Sequence, residues 1–490
     1  MQRKFKIKHN NIKVSARKTT HEESSRNIYR KTFTDSMRIN IITSNMVDTS
    51  NASRVLSPIQ AQQKKQLLSG VSPKPKKRRA VRSLTLKSAP PIPTAPKDPI
   101  VRQKMWVVSG IKSLLGSIDI YFALTTLLLA LLGIIAINSA CLTFGSSRFV
   151  IVQTGACIIG IFIALLLSLT DYRVLASKYR YIIGINAAIL LLTFIFGSSV
   201  TDATNANWID LGFIKIQPSE FAKLLFIFSL AVHLGQVRDK MHKISTVISL
   251  AIHACLIFSL VLLQKDLGAL TIFLVIFISM CFSAGISIWY YIAGGAFLVC
   301  VSPFLWARLS QYQKDRILLC FDSSIDPSGI GIRYQQLRSQ AAIGNGGFLG
   351  KGYMQGTVTQ GVGSHLPAKH TDMIFSTICE EFGFIGALTI LLITCFLIYR
   401  IIRIAMKCGN TTGSYICVGV ASMFMIQVIE NVGMCLGIMP VIGITYPFLS
   451  YGGSSVLSCF IAVGMVLSVC THTEKTFFMS GSVGSPRKIL

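Results

Sequence analysis

Acidic residues are scarce in this chain. Its 490 residues include 20 Asp and Glu against 48 Lys and Arg, and charged residues of both signs make up only 14%, where a soluble domain carries about 25%. That deficit excludes an ordinary water-soluble enzyme. The 13 cysteines form no Cys-x-x-Cys pair with metal spacing. Most lie inside apolar runs (Cys157, Cys255, Cys281, Cys300, Cys395, Cys459), where they read as small buried apolar residues. No short apolar core with a small-residue cleavage site stands near the N-terminus, so no secretory signal peptide is expected. No internal repeat is evident.

What is present is apolar, and the charge is unevenly placed. Of the net +28, +19 falls within residues 1–104, which hold 24 Lys and Arg and 5 Asp and Glu. This segment is rich in Ser, Thr, Asn, Lys and Arg, carries the cluster Lys74–Arg79 ("KPKKRR") and ends in "SAPPIPTAPKDP". It reads as a disordered basic cytoplasmic tail drawn to anionic lipids. It lacks aromatic interleaving and any nucleic-acid-binding module, so no nucleic-acid partner is expected. Met105 opens "MWVVSGIKSLLGSIDIYF" and would also serve as a start.

Ten apolar runs of membrane-crossing length follow, at 118–140, 149–169, 180–198, 219–235, 244–263, 268–286, 288–306, 374–399, 413–439 and 452–471. Backbone polar groups in lipid must be paired within the segment, so each is expected to be a helix. The fold class is therefore an all-α membrane protein of ten transmembrane helices. The expected domains are the tail 1–104, a polytopic domain 105–473 and a short cytoplasmic C-terminal tail 474–490. With the N-terminus inside, inner loops carry Arg173, Lys178, Arg180, Arg238, Lys240, Lys243, Arg400, Arg403 and Lys407, whereas short outer loops carry only Arg148, Lys215 and Lys265. This bias puts both termini in the cytoplasm.

The connection 307–373 is long, polar and Gly-rich, and lies on the outer face in this reading. Loops of this length in a compact protein are usually functional or disordered. Its basic residues, Arg308, Lys314, Arg316, Arg333, Arg338, Lys351 and Lys369 among them, suit an anionic ligand such as a pyrophosphate, or equally a solvated loop near anionic lipid. At its end stands "LPAKHTD". Asp372 there is either a helix cap or a general base on a sugar hydroxyl, with Lys369, His370 and Thr371 beside it. Glu380 and Glu381 follow two turns into the next helix, where a carboxylate is costly and usually turned inward. The segment "QPSEFAK" begins a helix at Pro218 and sets Glu220 one turn from Lys223, the spacing of an internal ion pair. Asp266 and Gln264 share a short outer turn. Pro440, Pro447, Gly452 and Gly453 stand between the last two spans, and broken backbone at that depth must be buried in protein or line a wet cavity.

Together these stretches resemble the SEDS family (shape, elongation, division and sporulation) over about residues 118–471. The motifs, in family order, are "QPSEFAK" (217–223), "QKDLG" (264–268), "YQKDRI" (312–317), "IDPSGIGIRY" (325–334), "AAIGNGGFLGKG" (341–352), "LPAKHTD" (366–372), "EEFG" (380–383), "NVGMCLGIMPVIGI" (431–444) and "SYGGSS" (450–455). "NWIDLG", "GKGYMQGT" and "MPVIGI" look more like the elongation branch, RodA, than the division branch, FtsW. The chain departs from the usual pattern at Asn207, Lys265, Arg338 and Met373, where Arg, Pro, Gln and Phe are common. The insertion around "TQGVGSHLP" is also longer than usual.

The resemblance implies a peptidoglycan glycosyltransferase of the bacterial inner membrane. Such an enzyme polymerises lipid II, a disaccharide-pentapeptide on undecaprenyl pyrophosphate, during cell elongation and shape maintenance. It implies a class B penicillin-binding protein (a transpeptidase) as partner, with other elongation-complex membrane proteins, and the nascent glycan as product. It carries the essential carboxylate onto Asp372, as general base for the acceptor 4-hydroxyl. Trp208, Gln217, Glu220, Lys223, Lys351, His370 and Glu381 are the expected substrate-binding residues. No cofactor is implied with certainty. A divalent cation (Mg2+ or Mn2+) would suit the pyrophosphate leaving group, though no residue is assigned to hold one. A lipid II flippase, a scaffold that recruits the transpeptidase, and a division-type paralogue are the competing readings.

Overall fold

The computed structural model describes residues 118–145, 147–198, 207–210, 215–361 and 366–472. The expected basic tail 1–104 and the C-terminal tail 474–490 lie outside the described residues, as does the segment 362–365 of the long connection.

The chain folds as α1 (Ile120–Ala140), α2 (Arg148–Leu169), the one-turn α3 (Tyr172–Ala176), α4 (Tyr179–Phe196), α5 (Pro218–Val237), α6 (Ile244–Leu263), α7 (Leu267–Ser283) and α8 (Ile288–Arg308). The long connection holds α9 (Gln311–Leu318) and α10 (Tyr334–Gly346). The last three helices are α11 (Ile374–Lys407), α12 (Thr411–Leu436) and α13 (Gly453–His472). Among the described residues, nine helices are long and apolar enough to cross a membrane. α7, at 17 residues, lies at the short end of that range. Each expected run coincides with one of these ten helices. Between α4 and α5 a three-stranded antiparallel sheet, β1 (Gly197–Ser198), β2 (Trp208–Asp210) and β3 (Lys215–Ile216), caps one end of the bundle.

Local chemistry sets the boundaries. Asp119 caps α1 through the Phe122 N–H at 3.0 Å and pairs with Arg400, tying α1 to α11 at the end opposite the long connection. Asp266 caps α7 through Ala269 N–H at 2.9 Å. Pro218 opens α5, where its missing N–H costs nothing. The long connection is more ordered than a solvated loop: Ser310 and Gln313 form a capping box at the start of α9.

Burial separates the centre of the bundle from its rim. Buried residues fill 72% of the most apolar stretch of α5 and of α13 and 67% of that of α12, against none in α8. Large apolar side chains such as Leu124, Leu131, Ile158, Phe162 and Phe297 face outward, as they would toward lipid. Small residues draw the central helices together. A Cβ on Gly160 would lie 2.5 Å from the Phe460 ring, and one on Gly464 would lie 2.9 Å from the Ala164 backbone, so α2 and α13 pack closely where one of them carries a glycine.

Candidate active site

Asp372 stands at the end of a turn whose backbone is held at every carbonyl. Ala368 takes the left-handed conformation (φ 51°), and its carbonyl accepts from Thr371 N and Met373 N, both at 3.1 Å. The Lys369 carbonyl accepts from Thr377 Oγ1 (3.1 Å) and that of His370 from Tyr451 N (2.8 Å). The Thr371 carbonyl accepts from Ser450 Oγ (2.7 Å) and that of Asp372 from Asn431 Nδ2 (2.8 Å). Asn431 also donates to Ile444 O at 2.7 Å, and Gln153 holds the Ser450–Gly452 strip from both sides (3.2 and 3.3 Å). This explains why "NVG" and "SYGG" accompany "HTD": they supply the donors that fix its backbone. A non-glycine residue in the left-handed region costs roughly 1–3 kcal/mol and persists only where its surroundings over-determine it.

The carboxylate itself is left unused. The α11 N-cap is Met373, without a side-chain bond, so Asp372 does not cap the helix. Among the described residues no hydrogen bond or ion pair occupies its oxygens. The side chain is partly exposed. Burial pushes its pKa up to about 6, against the opposing pull of the Arg316 guanidinium. Arg316 donates to Val441 O at 2.6 Å and to the Tyr312 hydroxyl, its guanidinium lies 4.5 Å from the Tyr312 ring, and its Nε is buried without a partner. Gly443, at φ 77°, passes beside the carboxylate; a Cβ there would lie 3.6 Å from Oδ2.

The neighbours of Asp372 in the motif are packed into the fold. Lys369 is buried, donates to Thr359 O and to Thr143 Oγ1 (2.6 Å), and lies over the Phe144 ring at 5.2 Å; burial lowers its pKa. His370 sits among Phe144, Phe149 and Tyr451, with ring centroids 5.2–5.6 Å away. Burial, helped by Lys369, brings its pKa down to about 4, so at neutral pH it is an uncharged ring.

Glu380 and Glu381 pin the long connection. Glu380 accepts from Val358 N (2.7 Å), Thr359 N (2.8 Å) and Thr357 Oγ1 (3.2 Å); Glu381 accepts from Ser139 on α1 and from Gln360 Nε2 (3.5 Å). Three glycines permit the backbone contact that goes with this. A Cβ on Gly346, Gly350 or Gly383 would lie 1.9–2.3 Å from opposing backbone atoms, and Gly383, at φ 64°, breaks α11. The loop thus zips onto the helix through Lys351 N to Glu380 O (2.9 Å) and Gly352 N to Glu381 O (3.0 Å), while the Lys351 side chain stays exposed.

A second polar cluster lies among α5, α7, α12 and α13. Lys223 pairs with Glu220 at 2.8 Å, Ser458 donates to Glu220 at 2.9 Å, and Gln217 reaches Asp266 at 3.4 Å. Glu430 meets Thr271 and keeps Oε2 buried without a partner. Glu430 precedes Asn431, so α12 connects this cluster to the Asp372 turn, although no hydrogen bond or ion pair joins the two among the described residues. Trp208 is half-buried in β2. The sequence reading named Arg316 only as one of the long connection's basic residues, and missed Glu430 and Asn431 as site residues. The arginine had a signal in "YQKDRI", and Glu430 in being an acid within an apolar run. Among the described residues no three His, Cys, Asp or Glu side chains gather as a metal-ligand set.

The chain is similar to known proteins along most of its helical bundle. Residues 119–475 match the family model described as cell cycle protein, FtsW/RodA/SpoVE. Stage V sporulation protein E of Bacillus subtilis is 34% identical over 73% of this chain and 98% of its own length. The peptidoglycan glycosyltransferase MrdB of Escherichia coli K12 is 34% identical over 61% of this chain and 78% of its own. A chain from a peptidoglycan synthase complex, solved to show coordination of polymerization and crosslinking, superposes with a TM-score of 0.61 at 26% identity, over 72% of this chain and 97% of that one. The rod shape determining protein RodA of Thermus thermophilus gives 0.53 at 25% identity, over 71% and 95%. With the match running through nearly the whole helical bundle and every motif around Asp372, the chain belongs to the FtsW/RodA/SpoVE family.

Proposed function

We propose that this protein is a peptidoglycan glycosyltransferase that polymerises lipid II on the outer face of the bacterial inner membrane, with Asp372 as general base. The observation that carries it is an unpaired, partly exposed carboxylate of raised proton affinity on a backbone locked at five successive carbonyls. A base is most effective when its pKa lies near the working pH and its position is fixed.

The acceptor's 4-hydroxyl gives its proton to an Asp372 carboxylate oxygen as that hydroxyl oxygen attacks the donor's anomeric carbon. The bond from that carbon to the pyrophosphate oxygen breaks, and its electron pair leaves with the lipid pyrophosphate. Arg316, already oriented by Val441 O and Tyr312, supplies positive charge on the side where the leaving group develops its negative charge. Gln217, Glu220 and Lys223 of the second cluster, with Trp208, face the substrate from the α5 side in this scheme, and Lys351 presents an exposed cation from the pinned loop. His370, Lys369 and Glu381 serve the site by holding it rigid. A divalent cation carried by the pyrophosphate belongs to the substrate in this scheme.

The Lys/Arg bias of the short loops supports both termini in the cytoplasm and the long connection outside. The motifs shared with RodA, and the RodA fold neighbour, support a role in elongation and shape maintenance rather than division. The neighbour from a synthase complex supports a class B penicillin-binding protein as partner, alongside other elongation-complex membrane proteins. The basic tail 1–104 fits anionic lipid.

The test is lipid II polymerisation by the purified protein with its transpeptidase partner. Glycan strands are expected from wild type and none from Asp372→Asn with the complex intact. Equal product from both would refute the base assignment, and transbilayer movement of lipid II without polymer from wild type would favour a flippase.

A further inference from the structure

A cavity of about 220 Å³ opens between the end of α9, the face of α10 and the end of α12, lined by Leu319, Cys320, Arg333, Gln336, Leu337 and Gln340, with Phe321 and Gly437 at its edge. Its one formal charge is Arg333. The acids nearby do not neutralise it. Asp326 accepts from Arg333's own backbone N–H (3.0 Å), from Gly329 N (3.1 Å) and from Ser328 Oγ (2.8 Å), and these donors hold its carboxyl below the usual range. Asp322 is taken by Ser324 N at 2.8 Å and Asp315 by Gln311 at 2.6 Å. Among the described residues Arg333 has no ion pair, and no hydrogen bond holds its guanidinium. "IDPSGIGIRY" is thus a turn wound around Asp326 that presents an unspent guanidinium.

The other polar lining is amide. Gln336 donates to Met439 O (3.2 Å) and Gln340 to Leu436 O (2.9 Å), which fixes both side chains and leaves each Oε1 as an acceptor. One guanidinium, two fixed amides and the aliphatic walls of Leu319 and Leu337 match a carboxylate next to a peptide N–H and a small apolar side chain. The volume lies below the 300–1,000 Å³ of sites for drug-sized ligands. It suits one or two amino-acid residues rather than a disaccharide. A pyrophosphate calls for more positive charge than a single guanidinium.

The cavity shares a wall with the base. Gly437 edges the cavity and Gly443 passes beside the Asp372 carboxylate, at the two ends of one short segment. That segment is held by Gln336 at Met439 and by Arg316 at Val441. A branched substrate can therefore set its sugar at Asp372 and its peptide on the far side of this segment. We infer that the cavity receives the carboxylate end of the substrate's peptide branch, with Arg333 as its ion partner. This inference rests on the polymerase reading above and names the part of the substrate that the site selects.

Two measurements test it. The first compares kcat/KM for lipid-linked disaccharide with and without its pentapeptide, in the complex with the transpeptidase. Wild type should favour the peptide-bearing substrate by about tenfold, the scale of one charge-assisted hydrogen-bonded pair. Arg333→Ala should collapse that ratio toward one through KM, with Arg333→Lys in between. A wild-type ratio near one, or a ratio unchanged in Arg333→Ala, overturns the inference. The second needs no variant and no turnover. The half-buried Cys320 thiol is alkylated and its modification followed by mass spectrometry. Soluble disaccharide-pentapeptide should protect it, and the same disaccharide without peptide should not; equal protection by both, or none, overturns the inference. Absence of any polymer from wild type would strike the polymerase reading alone, since Cys320 protection is read without catalysis.

Discussion

The raised proton affinity of Asp372 makes a prediction about stability as well as rate. The fold disfavours the charged form, shifting the pKa from 3.8 to about 6. At 1.36 kcal/mol per unit, a shift of roughly two units puts the charging penalty near ~3 kcal/mol as a ceiling, or about 1–2 kcal/mol once solvent reaching the partly exposed side chain is allowed for. The sign follows from linkage. A carboxyl whose folded pKa is raised destabilises the fold as pH climbs from about 4 to about 6, and the loss stays constant above that. Asp372→Asn removes the charge without removing a bond, because the carboxylate has no hydrogen-bond partner among the described residues. The variant should therefore be inactive yet more stable at pH 7.5, by a few degrees in Tm in detergent, with most of the gain gone at pH 4.5. Such a trade is expected where an active site stores an unfavourable charge. A Tm gain equal at both pH values, or no gain at pH 7.5, would refute the argument that burial, rather than a lost contact, sets the behaviour of this group.

Other perturbations reach the remaining parts of the site. Polymerisation below pH 6 should fall about tenfold per pH unit as Asp372 takes up its proton, and level off above it; a flat profile between pH 5 and 7 would remove Asp372 as the base. Lys223→Met alone strands the buried Glu220 and should cost roughly 3–5 kcal/mol, whereas Lys223→Met with Glu220→Gln should recover most of it; a double-mutant cycle in thermal unfolding reads the difference, and strict additivity would rule out the pair. Gly383→Ala meets both a φ of 64° and Gly350 N only 2.3 Å from the new Cβ, so it should lower Tm and raise proteolysis within residues 347–361; unchanged digestion would show that the zipper does not hold the loop.

The sequence made the bundle legible because lipid imposes one rule on every span. Ten apolar runs became ten helices, with Pro218 where a helix start was read and Lys223 paired with Glu220 as their spacing required. The structure of the long connection was illegible, since α9 and α10 are short and their order comes from contacts across the fold. Glu380 shows why. An acid in an apolar helix signals an inward-facing group, but only the fold shows that two backbone N–H groups and a threonine hydroxyl fill its oxygens. Asp372 was ambiguous for the same reason: cap and base differ in what the carboxylate touches, and residue type is silent on that. What the fold adds is a set of donors from residues 59 or more positions away, Asn431, Ser450 and Tyr451, which hold the backbone by its carbonyls. Because those donors spend themselves on the main chain, the side chain stays free for a proton. A variant that weakens one of them, such as Asn431→Ala, should lower kcat through misplacement of an unchanged base, leaving the apparent pKa near 6 while the plateau rate falls. A shifted pKa with an intact plateau would mean that Asn431 acts on the charge of Asp372 and not on its position.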